Sequence, residues 1–424
     1  MRIIAAVQSR ARVARRVVFS ASGETKYKAR ILAGLAGVAL LAGGAALVWS
    51  GRSEHALAAG YYTPTVIATV TVGSVPADVA VNSTTNLIYV ANNAGDNVSV
   101  INGATNAEVG TPIPVAPGGP SGVAVNPVTN RIYVVNQGAD SVSVIDGAVN
   151  EPTGTPIPVG DSPWGVAVNP TTNRIYVTNN GDDSVSEING ATDTVIGTPI
   201  PVGNAPMGVA VNPITDCIYI ANYYDNNVSV LNGPTGACPT GLISVGSSPV
   251  GIALNLSTDR VYVANSGSDT VSVINGATNS VIGTPVPVGQ HPWGLAANPA
   301  TYRVFVANQF ADTVSVINGI TNKVESVLDV GTYPQGVAVN LASSLEYKRI
   351  YVVDTQAGSM SVIADYSPPI GGIAEVPLSD AESGAAAEGS GWSGGAYAAL
   401  AVGLSAAAAA LGVGGWYARR RRLR

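Results

Sequence analysis

Few residues of this chain are equipped for chemistry, and their spacing narrows what they could do. Its 424 residues include only two His, His55 and His291, and two Cys, Cys217 and Cys238. A c-type haem needs Cys-x-x-Cys-His, and a metal centre needs His, Cys and Asp at ligand spacing; neither pattern occurs. No cofactor and no metal is expected. An extracytoplasmic lactonase- or lyase-like reaction is the rival to a binding role, and it would have to use Asp together with His291. Two acidic residues depart from a repeated pattern, Asp78 at a position otherwise held by Gly and Glu187 in place of a Val. Either could bind a cation or pair locally, Glu187 with Arg174 across a hairpin. Residues 65–366 hold 7 Lys/Arg against 21 Asp/Glu, a net charge of −14. Phosphate binding needs clustered cations, so no nucleic acid partner is expected.

The elements that position these residues follow from a repeat. The strand cores at Tyr89, Tyr133, Tyr176, Tyr219, Tyr262, Phe305 and Tyr351 are spaced by 44, 43, 43, 43, 43 and 46 residues. A period in the low forties with four strand-like segments per unit is the pattern of a β-propeller. In the third unit, strand A is GVAVN (165–169), B is RIYVTN (174–179), C is SVSEI (184–188) and D is TVIGTPIPVG (194–203). Strand A is all small and apolar, as the innermost strand must be where blades converge. Strand D carries two prolines two residues apart. Successive N–H groups point to opposite edges of a strand, so the prolines delete donors on one edge only. Strand D is therefore expected outermost, paired inward with C and blunted outward.

Strands A, B and C occur seven times, but D follows only the first six. The segment Val66–Gly73 (VIATVTVG) precedes any A strand and matches D. The expectation is an all-β, seven-bladed β-propeller closed by an N-terminal outer strand. The units GVAVN, RIYVTN, SVSVIDG (141–147) and VIGTPIPVG (195–203) resemble the YVTN-type propeller repeat over about 66–365. That resemblance implies an exported or cell-surface propeller: surface-layer proteins, adhesins, one member linked to DNA binding, and distantly the propeller domains of redox enzymes.

The flanks differ. The apolar run Ile31–Trp49 follows basic residues, and Ala396–Ala418 precedes Arg419–Arg422. Each can cross a hydrocarbon core, and their cationic flanks place both ends in the cytoplasm and the propeller outside. The expected order is a basic segment 1–30, a signal peptide or signal-anchor helix 31–58, the propeller 65–366, an acidic Gly/Ala/Ser linker 367–393, a transmembrane helix 394–418 and a basic tail 419–424. The localisation expected is the cell membrane or surface.

Function in a repeat scaffold is sought where units differ. The residues before strand A are Ala77, Ser121, Trp164, Met207, Val250, Trp293 and Gln335. The B–C turns on that face add Tyr223, Tyr224 and Phe310, with His291 and Tyr333 close by. These aromatics either form a patch for a glycan or a surface protein, or fill gaps between blades. Self-association as a surface layer is a third possibility. Cys217 and Cys238 are both exceptions of the fourth unit, at B-start and C–D turn positions that lie at one end of a blade; a disulfide is expected. The repeated turn residues Asp96, Asp140, Asp183, Asp269 and Asp312 are expected to cap turns rather than hold calcium.

Overall fold

A computed structural model describes residues 63–366 apart from 237 and 343–347. The apolar runs, the linker and the terminal basic segments lie outside these residues. Among the described residues no helix is long and apolar enough to cross a membrane.

The described chain is all β and forms seven antiparallel sheets. Six use consecutive strands in the order A-B-C-D. In the third blade these are Pro163–Asn169, Arg174–Asn179, Ser184–Asn189 and a split outer strand, Thr194–Val195 and Ile200–Pro201. The seventh sheet takes its A, B and C strands from the end (Pro334–Asn340, Lys348–Asp354, Ser359–Asp365) and its outer strand from the start, Thr65–Thr71. Val70 lies opposite Met360, and Thr65 opposite Ala364. The expected closure is present.

Strand D is less continuous than its sequence suggests. In blades 1, 3 and 5 it breaks at Gly110, Gly197 and Gly283, each with φ between 65° and 72°. A Cβ at Gly197 would meet nothing within 4 Å, so glycine is needed there for the left-handed backbone and not for space. Beyond the break, the residue after the second proline donates inward: Val202 N–H to the Asp183 carbonyl at 2.9 Å, and Val115 to Asp96 at 3.0 Å. The prolines thus leave their missing donors on the outer edge, as the alternation requires.

The core is a ring of seven apolar clusters, each shared by two neighbouring blades. Tyr133, Val142 and Ile157 of blade 2 pack with Ile175, Val177 and Ile188 of blade 3. The closing cluster joins Val70, Tyr351, Met360 and Val362 of blade 7 to Val79, Ile88 and Ile101 of blade 1. Burying this surface between blades, rather than within one, makes the ring a single cooperative object.

Polar ladders bind the blades at one end. The Asn that ends each A strand is buried, and in most blades its Nδ2–H donates to the A–B turn of the next blade: Asn82 to Asn130 (2.7 Å), Asn126 to Asn173 (2.8 Å), Asn169 to Asp216 (2.6 Å), while Asn298 donates instead to Asp365 at the end of strand C of blade 7 (2.7 Å). Asn340 closes the circuit onto Asn86 at 2.6 Å. Asn255 breaks the series. Its Nδ2 is buried with no hydrogen-bond partner, because the matching turn position is Tyr302, which has no amide or carboxylate oxygen. Tyr302 also holds φ 59°, a conformation Asn accepts far more readily. Tyr302→Asn is therefore expected to raise stability by about 1–2 kcal/mol, read as a shift in denaturant midpoint at unchanged slope. An unchanged or lower midpoint would show that Asn255 is already satisfied.

Blade 4 carries the cysteines in a disulfide, Cys217–Cys238, with Cα atoms 5.9 Å apart. It joins the first residue of strand B to the C–D loop.

Candidate functional site

The face that carries the D–A loops and B–C turns gathers the sequence exceptions. Each D–A loop ends in a left-handed residue followed by the proline that opens strand A. In blades 3, 6 and 7 that residue's N–H is held by a side chain from the preceding blade: Ser162 by Asp140, His291 by Asp269 and Tyr333 by Asp312, each at 2.8 Å. The turn aspartates therefore cap between blades, and they fix where His291 and Tyr333 sit. Their own backbones are left-handed as well, Asp269 at φ 55° and Asp312 at φ 54°.

Strand A runs down the channel wall, where a ring of glycines lets blades approach. A Cβ on Gly165 would stand 2.5 Å from the Met207 carbonyl oxygen, and one on Gly251 would stand 2.3 Å from that of Trp293. Above this ring lies a cavity of about 200 Å³, lined from all seven blades, Trp164, Trp293, Asp78 and Gln335 among its walls.

Trp164 and Trp293 belong to blades 3 and 6, which are not neighbours. Their rings meet across the channel mouth, centroids 6.3 Å apart and edge to face. Neither belongs to an apolar cluster between adjacent blades. Trp293 stacks on His291 (5.5 Å), His291 on Phe310 (4.2 Å), and Phe310 lies 5.8 Å from Tyr333. Five of the eight candidate residues thus make one row from the mouth toward the rim. Phe310 is 58% exposed, whereas Trp164, Trp293, His291 and Tyr333 are half-buried. Tyr223 and Tyr224 form a separate edge-to-face pair at 5.1 Å. Met207 is buried; its sulfur lies 3.3 Å from Asn180 Nδ2 and its carbonyl accepts from Thr178. It packs between blades and is not part of the row.

Two positioning residues were not among the candidate residues, although Ser121 stands in the variable set before strand A. Ser121 Oγ donates to the Trp164 carbonyl at 3.0 Å, and Thr178 Oγ1 accepts from Gly165 N–H at 2.8 Å while donating to Met207 O at 2.7 Å. Both hold the backbone that carries Trp164. The signal was available, since Ser121 and Thr178 stand where most blades have a larger or an apolar residue.

Asp78 occupies the seventh position of the glycine ring. Its carboxylate accepts from Val123 N–H at 3.0 Å. Burial among backbone atoms still pushes its pKa up to about 6. Asp354 replaces the Asn that ends strand B in the other blades. It accepts from Ser361 (2.8 Å) and Ser359 (3.3 Å), and burial raises it to about 6 also. Both groups bind protons more tightly folded than unfolded, so their stabilising contribution is complete below about pH 4 and is lost as pH rises through 6. Each is worth up to about 3 kcal/mol across that window. Stability is expected to rise between pH 7 and pH 5, and Asp354→Asn to flatten part of that slope while raising the neutral-pH midpoint. A flat profile in the parent protein would contradict the burial of both carboxylates.

Glu187 pairs with Arg174 at 3.3 Å, as its place across the hairpin suggested. Among the described residues no cluster of three His, Cys, Asp or Glu is placed to hold a metal ion.

The closed ring and its sevenfold repetition define the class: this is a seven-bladed β-propeller. No family model matches the chain, and no curated protein matches it. Among solved structures it is similar to Kuenenia stuttgartiensis Hydrazine Synthase, with a TM-score of 0.60 and 17% identity over 70% of this chain and 97% of that one. At that identity the likeness is one of fold alone.

Proposed function

We propose that the propeller is a non-catalytic binding module, held at a membrane surface by its flanking apolar segments, whose site is the aromatic row at the channel mouth. The observation that carries this reading is the meeting of Trp164 and Trp293 across the mouth, continued by His291, Phe310 and Tyr333. Half-exposed aromatic faces in a row gain by covering flat apolar surface, which the C–H faces of sugar rings or a partner loop supply. The surrounding charge narrows the choice. Asp78, Asp269 and Asp312 border the row, and no Lys or Arg among the described residues sits at that end of the blades. Anionic ligands are repelled there. The ligand is a neutral glycan, or a neutral glycan on a surface protein.

A hydrolytic reading has one feature in its favour, the Asp78 carboxyl that lines the same cavity and whose pKa burial raises to about 6. A screen of the full chain against an array of neutral, sulfated and sialylated glycans, followed by product analysis of any hit, separates the readings. Retention of neutral glycans with no product supports binding. Turnover abolished by Asp78→Asn would replace it with the enzyme, and retention of anionic glycans alone would exclude the site proposed.

A further inference from the structure

The face opposite the aromatic row has its own pattern. Strands B start there, strands A and C end there, and both ends of the propeller chain leave from it. Thr65 lies opposite Ala364, and the next residue, Asp365, takes hydrogen bonds from Asn298 and Thr301 at the foot of blade 6. From that point 15 residues separate the propeller from the apolar run ending at Trp49. Fully extended, that tether reaches only about 50 Å.

The turns of this face carry large apolar side chains that are exposed among the described residues. Ile214 is 77% exposed and Val128 74%, both in A–B turns where other blades place Thr84, Thr171 or Ser257. Ile320 and Val149, each 63% exposed, occupy C–D turns at positions held elsewhere by Ala or Thr. Single exposed apolar residues are ordinary, but these four stand on one face and in three separate blades. Charge divides only in its cations, and several of these are paired with acids of the same face: Arg131 with Asp193, Arg174 with Glu187, and Arg303 with Glu325 and Asp365. All seven Lys and Arg of 65–366 sit at the first or second residue of a B or D strand, on this face. The other end carries the turn aspartates with Asp78 and Asp354.

We infer that this face rests on a lipid bilayer, with Val128, Val149, Ile214 and Ile320 entering the headgroup region and the aromatic row turned away from it. The short tether holds the face near the surface. The apolar turns gain by leaving water. The acidic end is pushed outward by anionic headgroups. The inference rests on the membrane tether of the proposed function and adds the orientation.

The test uses the full chain, oxidised so that Cys217 and Cys238 stay paired, in vesicles of phosphatidylcholine and phosphatidylglycerol. Ile214→Cys and Ile320→Cys, and Thr332→Cys on the opposite face, are each labelled with a fluorophore. Lipids spin-labelled near the headgroup then act as quenchers. Quenching at positions 214 and 320 is expected to exceed that at 332 severalfold, since only an interfacial face sits about 5–10 Å into the headgroup boundary. Full incorporation with equal quenching at all three positions would overturn the orientation and leave the tether standing. A chain that fails to incorporate would overturn both. Loss of quenching at 214 and 320 only at high protein density would assign the face to a second copy of the chain instead.

Discussion

Replacing Trp164 and Trp293 together by Ala should abolish ligand binding while leaving the propeller folded. Each indole lines the cavity and gives an edge or face to another ring. Truncating an aromatic anchor at the centre of a binding patch costs about 2–4 kcal/mol, and two adjacent anchors together bring the loss to at least about 100-fold in affinity. The fold should tolerate the change. Neither indole belongs to the seven interblade clusters, and both are only half-buried. Thermal midpoints of parent and variant should agree within a few degrees. A variant that binds as well as the parent would show the row to be packing alone. A variant that no longer melts cooperatively would show that the indoles hold the ring shut. Ser121→Ala is the finer probe, since it removes only the hydroxyl that donates to the Trp164 carbonyl. It should weaken binding a few-fold without loss of stability.

The second large effect concerns closure. Thr65–Thr71 gives blade 7 its outer strand, and Val70 from that strand is buried against Met360 and Val362. Val70→Asp places an unpaired carboxylate in the cluster that joins the last blade to the first, and should cost about 3–5 kcal/mol. Thr69, one residue earlier, points outward and is exposed; Thr69→Asp should change stability by less than about 0.5 kcal/mol. Removing 65–71 altogether leaves the Ser359–Asp365 strand with a bare edge and the ring unlatched. That protein is expected to aggregate, and a peptide of sequence VIATVTVG added during refolding should rescue it by strand addition. Equal effects of the two substitutions would mean that the strand is dispensable for closure.

Much of this architecture was legible because each local choice repeats seven times. The spacing of Tyr89 through Tyr351 gave the blade count, and the unmatched VIATVTVG gave the closure. The prolines gave the outer edge, since N–H alternation is a property of any strand. The breaks at Gly110, Gly197 and Gly283 were not legible from the local sequence, Glu-Val-Gly-Thr at the first and Val-Ile-Gly-Thr at the other two; a glycine in a strand does not announce whether it is left-handed. The candidate site was legible as a face but not as a contact map. Trp164 and Trp293 lie 129 residues apart in sequence, and only ring closure brings blade 3 opposite blade 6. Met207 shares their repeat position yet turns into the blade interface, because Asn180 and Thr178 of the previous blade receive its side chain and carbonyl. The vacancy in the Asn ladder at Asn255 follows from Tyr302, a substitution visible in the sequence whose partner lies a blade away.

Tryptophan emission reads a neutral saccharide on the aromatic row directly. Trp49, Trp392 and Trp416 lie outside the propeller; changing all three to Phe leaves Trp164 and Trp293 as the only indoles of the chain. The emission of this variant is then titrated with neutral oligosaccharides and with sulfated ones of equal length. A saturable shift is expected with at least one neutral ligand and none with its sulfated counterpart. A ligand that binds by calorimetry while the emission stays unchanged would place binding elsewhere on the propeller and contradict the site.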